Sequence, residues 1–181
     1  MKIICFGDSN TYGFDPRGPI PGRYEAPWPE IIREKTGWNV VNEGKNGRSV
    51  VQRPREFPPD TDLLVVMLGT NDLLNSRTPE TATAKMERFL RRITLEHWKI
   101  LLIAPPTMCY GEWVPAQSLI DQCFVLSEHY RRLGEHLGIR FVSAGDWDIP
   151  MAYDGVHMTQ DGHIKFAENL LQYIQENLVH S

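Results

Sequence analysis

Residues 63–68, Leu-Leu-Val-Val-Met-Leu, form an apolar run with no polar residue at any alternate position. A strand wetted on one face alternates apolar with polar, so an unbroken run of strand length calls for cover on both faces. That is the pattern of a parallel sheet buried between two layers of helices. Residues 2–6, Lys-Ile-Ile-Cys-Phe, read as another buried strand. Both runs stop at polar residues: 2–6 at Gly7-Asp8-Ser9, and 63–68 at Gly69-Thr70-Asn71-Asp72.

The rest of the chain alternates in the same sense. Residues 14–29 are broken by Pro16, Gly18, Pro19, Pro21, Gly22, Pro27 and Pro29, which predicts a long loop without helix or strand, of the kind that walls a site. A helix is expected over 30–36, starting near Trp28-Pro29, and a short strand over 38–42, followed by a glycine-bearing turn over 43–49. An irregular connection over 53–60 leads into the 63–68 strand. Thr78-Pro79-Glu80 opens a helix whose Met86, Phe89, Leu90 and Ile93 share one face. Strands over 99–104 and 139–143 flank a long helix over 117–137. The last helix, over 159–178, presents Ile164, Ala167, Leu171, Ile174 and Leu178 inward. The segments 107–116 and 144–156 are aromatic-bearing loops. The expected fold is therefore a single α/β domain spanning 1–181: three layers, doubly wound, with a five-stranded parallel sheet in the flavodoxin-like order 2-1-3-4-5.

Length and charge narrow the function. A chain of 181 residues buries roughly 70% of its unfolded surface and needs neither disulfide nor metal for stability. Net charge of −4 offers no basic field for nucleic acid or an anionic membrane, and small neutral substrates fit better. Cys5, Cys109 and Cys123 lack metal-ligand spacing and read as packed thiols, so no metal and no cofactor is expected. No segment approaches a membrane span, and Met1 leads straight into the first strand, which points to a cytoplasmic protein.

Open α/β sheets carry their chemistry at the carboxyl ends of the strands, and here the polar residues cluster at such ends. Ser9 sits on a strand-to-helix turn, but a serine hydroxyl is nearly unreactive without a base. Asp154 and His157 are spaced so that the carboxylate can fix one imidazole nitrogen while the other faces Ser9. The backbone amides of Ser9 and Gly47, with the side chain of Asn71, could donate to an oxyanion. Gly44 is an alternative donor, leaving Gly47 to form the turn. Asp8 and Asp72 suit the bracing of backbone turns. His97, His129, His136 and His180 read as surface groups, and His163, inside the last helix, as a capping or packing residue. Asn10, Tyr12, Trp28, Trp113 and Trp147 border the expected mouth and are candidates for an acyl or alcohol pocket, with the aromatic four equally suited to the core.

Gly7-Asp8-Ser9, Asn42-x-x-x-x-Gly47, Gly69-x-Asn71-Asp72 and Asp154-x-x-His157 resemble, in order, the four blocks of the SGNH hydrolases, or GDSL esterase/lipase family. The resemblance implies Ser9 as nucleophile, Gly47 and Asn71 in the oxyanion hole, His157 as base and Asp154 as its orienting acid. It is greatest to small-acyl arylesterases and acetyl esterases, which add no large domain, and some of these form homo-oligomers. Asn10 stands where the family name has leucine. The expected activity is hydrolysis of small-acyl esters through an acyl-enzyme, with a small-molecule ester as partner. Thioesterase, lysophospholipase or acyltransferase chemistry would use the same triad. A non-catalytic flavodoxin-like module, with residues 7–13 cradling flavin or phosphate, is the alternative of another class.

Overall fold

The computed structural model describes residues 1–18, 22–51 and 56–178. In chain order the elements are β1 (Lys2–Gly7), α1 (Ser9–Tyr12), β2 (Phe14–Asp15), β3 (Gly22–Arg23), α2 (Trp28–Thr36), β4 (Asn39–Gly44), β5 (Leu63–Met67), α3 (Thr70–Leu74), α4 (Pro79–Leu90), β6 (Ile100–Ala104), α5 (Gln117–Leu137), β7 (Arg140–Ser143) and α6 (Gln160–Asn177). β4, β1, β5, β6 and β7 form a five-stranded parallel sheet in that order, the 2-1-3-4-5 arrangement expected from sequence.

The unbroken apolar runs have the cover they require. Ile4, Phe6, Leu64, Val66 and Leu102 point to a face packed by Met86 and Phe89 of α4 and by Leu126, Tyr130 and Leu133 of α5. Their alternates Ile3, Cys5, Val65, Leu101 and Ile103 meet Trp28, Ile31 and Ile32 of α2 and Phe166, Ala167, Leu170 and Ile174 of α6. Every residue of β5 and β6 is buried, as expected for central parallel strands. Register then fixes the site. Gly7 pairs with Gly44 on one side and Met67 on the other, so β1, β4 and β5 end at one level and release their loops side by side.

Three sequence expectations are corrected. The segment 14–29 is not free of strand: β2 and β3 pair as a short antiparallel ribbon, because the glycines and prolines interrupt the chain without preventing two residues on each side from bonding. Residues 19–21 within that expected loop, 52–55 around the expected connection, and 179–181 with His180 lie outside the described residues. The inward face of α6 is His163, Phe166, Ala167, Leu170 and Ile174, with Ile164 exposed. Leaving a buried histidine on that face shifts the stripe by one residue from the purely apolar reading. The second strand of the sheet also starts one residue later and runs two further than expected, to Gly44. Among the described residues no helix is long and apolar enough to cross a membrane.

His163 is wholly buried between α6 and α2, its ring edge-on to Tyr24 at 5.3 Å and its Nδ1 3.4 Å from the Trp28 amide. Burial, then the charges of Arg23 and His157, push its pKa from 6.5 down to about 3. Between those values the unfolded chain holds a proton that the folded chain refuses, so this residue's contribution to stability is present above pH 6.5 and is lost as pH falls toward 3. Wild type should therefore lose about 2–3 kcal/mol more unfolding free energy than His163→Phe between pH 7 and pH 4.5. Urea unfolding at both pH values measures this, and parallel losses in the two proteins would refute the assignment.

Candidate active site

Asp8 follows β1 and caps α1, accepting the Asn10 amide on Oδ1 at 2.9 Å. That makes Ser9 the first residue of the helix, a position whose N–H has no acceptor within the helix. His157 Nε2 lies 3.0 Å from Ser9 Oγ, and His157 Nδ1 lies 2.6 Å from Asp154 Oδ2. Asp154 Oδ1 also accepts the backbone amides of Val156 and His157 at 2.9 and 3.0 Å. With Nδ1–H donating to the carboxylate, Nε2 is left as the acceptor facing the serine hydroxyl. Burial alone would raise the Asp154 carboxyl. The His157 side chain and then the amides of His157 and Val156 outweigh it, and the net shift is downward, which keeps the carboxylate ionised beside the histidine.

The loop carrying Asp154 and His157 is held by the loop after β6. Cys109 N donates to Gly155 O at 3.0 Å, Glu112 N to Tyr153 O at 3.2 Å, and Trp113 N to Asp154 O at 3.0 Å. Gly155 has φ +79°, and a Cβ there would fall 2.1 Å from the Cys109 carbonyl oxygen, so only glycine permits this approach. Two rings bracket the imidazole: Phe14 at 4.5 Å and Trp113 edge-to-face at 5.3 Å.

On the other side of Ser9 lie the loops after β4 and β5. Gly44 N is already donated to Asn42 Oδ1 at 2.9 Å, and a Cβ at Gly44 would lie 2.0 Å from Tyr12 N, where α1 crosses the end of β4. Gly44 is therefore the packing glycine, and its amide is spent. Gly47 lies in an exposed turn at φ +70°. Asn71 Nδ2 donates to Arg48 O at 3.2 Å and sits 3.5 Å from Asp8 Oδ2, which brings the 47–48 segment against Asn71. Arg48 Nη1 donates to the Gly7 and Glu43 carbonyls, and its guanidinium lies 4.3 Å over the Phe6 ring, pinning this turn to the end of β1. Asp8 itself is buried, and burial lifts its pKa to about 6 against the opposing effects of the Asn10 amide, His157 and Arg48.

A model of the GDSL-like lipase/acylhydrolase family matches residues 5–164. The chain belongs to that family. As a GDSL-type carboxylic ester hydrolase it is also similar in fold to solved relatives. An aryl esterase of M. smegmatis superposes with TM-score 0.79 at 23% identity, covering 98% of this chain and 99% of that one. A carbohydrate acetylesterase family member from Sinorhizobium meliloti gives 0.78 at 24%, covering 97% and 98%. Est24, a carbohydrate acetylesterase from the same organism, gives 0.79 at 21%, covering 97% and 98%. No curated protein matches the chain.

Within this GDSL hydrolase Ser9, Asp154 and His157 converge, and Asn71 and the Gly47 turn stand at the neighbouring strand ends. The five residues expected to border the pocket are placed in different surroundings. Trp28 has no exposed surface and packs, tilted, 4.8 Å from Phe166, because the α2 start is buried against α6. Trp147 turns back onto the same Phe166 at 5.0 Å. The Tyr12 ring carries the Arg23 guanidinium at 5.2 Å. Asn10 is buried and structural: Nδ2 donates to Val156 O and Oδ1 accepts Met158 N, each at 2.9 Å. Trp113 packs its ring against His157. Asp72 braces a turn as expected, accepting Val50 N at 2.7 Å and pairing with Arg77 and Lys85. Phe14 and Arg48 were not singled out from sequence. Phe14 is hidden in a glycine- and proline-rich stretch, whereas Arg48 follows Gly47 directly and could have been suspected from that adjacency.

Asn10 fastens the Ser9 turn to the loop that carries His157, so its removal should disturb activity and stability together. Asn10→Ala leaves a buried carbonyl and a buried amide unpaired, expected to cost about 2–3 kcal/mol in urea unfolding. The loosened Ser9–His157 geometry should lower kcat by about 10²-fold with KM changed only a few-fold. A stability loss with wild-type kcat would confine Asn10 to folding.

Proposed function

We propose that this hydrolase cleaves small-acyl carboxylic esters through a Ser9–His157–Asp154 triad and an acyl-enzyme. The observation that carries the reading is the continuous proton path from Ser9 Oγ, 3.0 Å from His157 Nε2, to an imidazole whose Nδ1 is held at 2.6 Å by Asp154. His157 takes the hydroxyl proton as Ser9 Oγ bonds to the acyl carbon. The resulting oxyanion is met by the Ser9 and Gly47 amides and by Asn71 Nδ2, whose 3.5 Å contact with Asp8 is weak enough to yield. Collapse breaks the carbon–alcohol oxygen bond, and His157 returns the proton to the departing alkoxide. Water then gives a proton to His157, attacks the acyl carbon, and releases the acid as Ser9 recovers its proton.

Two observations favour a short acyl group. The chain covers nearly all of its structural neighbours and they nearly all of it, so no large element is inserted beside the site, and those neighbours are described as aryl esterases and carbohydrate acetylesterases. A flavin or phosphate cradle at residues 7–13 is disfavoured by charge, since the buried Asp8 carboxyl already caps α1 where a phosphate would sit.

A nitrophenyl ester series from acetyl to decanoyl tests this. Turnover should be highest at the acetyl and propanoyl end, Ser9→Ala should fall by about 10⁴-fold or more, and Asp154→Asn by roughly 10³–10⁴-fold. Activity in Ser9→Ala within tenfold of wild type would overturn the mechanism, and rising turnover with chain length would overturn the acyl preference.

A further inference from the structure

Asn71 can serve the oxyanion of the proposed reaction only with its nitrogen foremost. A half-turn about its last side-chain torsion brings Oδ1 forward instead, and an acceptor there repels a developing oxyanion. Two acceptors decide between the orientations. Arg48 O lies 3.2 Å from Asn71 Nδ2, and Asp8 Oδ2 lies 3.5 Å from the same nitrogen. After the half-turn both would face Oδ1, oxygen against oxygen. The amide nitrogen carries two hydrogens, so one can stay on Arg48 O while the other leans toward Asp8 at rest and passes to the acyl oxygen as charge develops.

Of these two acceptors, Asp8 is the one that titrates. Its Oδ1 is occupied by the Asn10 amide at 2.9 Å, so a proton taken up by the carboxylate resides on Oδ2, the oxygen directed at Asn71. An O–H then meets an N–H, and the contact favours Asn71 Oδ1 where it had favoured Nδ2. Among the described residues the titratable and charged groups that face Asp8 are His157 from the loop before α6, Arg48 from the turn after β4 and Tyr130 from α5. The Tyr130 phenol donates to Leu68 O at 3.1 Å and is kept protonated by burial. Burial of Asp8 outweighs the Asn10 amide and the His157 and Arg48 charges, and lifts its carboxyl from 3.8 to about 6. The acceptor for Asn71 is therefore present above pH 6 and is lost as pH falls through that value. The cap of α1 persists, since Oδ1 accepts the Asn10 amide in either state.

Resting on the esterase reading above, we infer that Asp8 is a positioning residue for the oxyanion site: its carboxylate keeps the Asn71 amide turned nitrogen-first, and its protonation withdraws that donor while leaving Ser9, His157 and Asp154 in place. Asp8 acts through Asn71 and touches no substrate. Hydrolysis on the acid side accordingly responds to two protons, one taken by His157 and one by Asp8.

The test follows hydrolysis of 4-nitrophenyl acetate from about pH 5 to about pH 8 in wild type, Asp8→Asn, Asn71→Ala and the double variant. The Asp8→Asn side chain keeps an acceptor for the Asn10 amide and sets an N–H against Asn71 at every pH, so it reproduces the protonated state. Near pH 8 this variant should lose about tenfold in kcat with KM changed less than about threefold, and the wild-type to Asp8→Asn ratio should shrink toward one by about pH 5. Asn71→Ala should lose about 10²-fold in kcat, and adding Asp8→Asn to it should change kcat less than about twofold at any pH. Urea unfolding shows whether Asp8→Asn folds; if it does not, Asp8→Ser, whose hydroxyl oxygen still accepts the Asn10 amide, takes its place with the same expectations. A wild-type to variant ratio that is constant with pH would overturn the inference. So would an undiminished Asp8→Asn effect in the Asn71→Ala background, which would mean that Asp8 acts on His157 or on the Ser9 turn. Wild-type hydrolysis that Ser9→Ala leaves unchanged would instead bring down the esterase reading itself.

Discussion

The site depends on three parallel strands ending at the same level. Gly7 faces Gly44 and Met67 in register, so the turns after β1, β4 and β5 leave the sheet together and their backbones can bond to one another. Arg48 uses that proximity, donating to the carbonyls of both Gly7 and Glu43. Asn71 uses it again, through the Arg48 carbonyl and Asp8. A slip of the register would separate these partners even if each strand still formed, because a parallel sheet fixes the relative height of every strand end. The apolar runs that bury the sheet thus also align its chemistry.

Asp154 and His157 belong to no strand end of this group and have to be brought in from the other side. The loop after β6 holds them by backbone bonds from Cys109, Glu112 and Trp113, and Asn10 closes the gap by binding Val156 and Met158. Ser9 and His157 are separated by 148 residues of sequence, yet the residue next to Ser9 bonds the residues on each side of His157. Geometry across that gap is therefore set by neutral, buried, bidentate contacts rather than by the attraction between the reacting groups. Under the mechanism proposed above, this suits a serine and a histidine that exchange a proton during turnover without moving apart.

The sheet was legible in the sequence because an unbroken apolar run has few interpretations, and the Asp154–His157 hydrogen bond was legible because its residue types and spacing are set by hydrogen-bond reach. Other features depended on information that a local pattern does not contain. Trp28 and Trp147 lie in segments next to the site, but both indoles turn to Phe166, and only the packing of α2 and α6 decides that direction. In α6 the apolar pattern favoured Ile164, whereas the fold buries His163 and leaves Ile164 outside, since a neutral imidazole can fill a core position beside Tyr24. Asn10 looked like a rim residue because its partners lie far along the chain. Phe14 was obscured by prolines and glycines that shape the ribbon carrying it.

Two buried carboxyls near His157 show how local donors separate structural from chemical roles. Asp154 receives two backbone amides and the imidazole N–H, and these hold its pKa down despite burial. Asp8 receives one backbone amide at 2.9 Å and a side-chain amide only at 3.5 Å, and burial lifts it to about 6. Depth of burial and the donors that oppose it together make Asp154 the more secure anion. It follows that the charge orienting His157 comes from Asp154 across the range in which Asp8 begins to take up a proton. Asp8 serves instead as the cap of α1, and a cap can accept the Asn10 amide through a carboxyl oxygen in either protonation state. The turn that presents Ser9 is thereby kept in place by a group whose titration need not disturb the hydrogen bonds that run from Asp154 through His157 to Ser9.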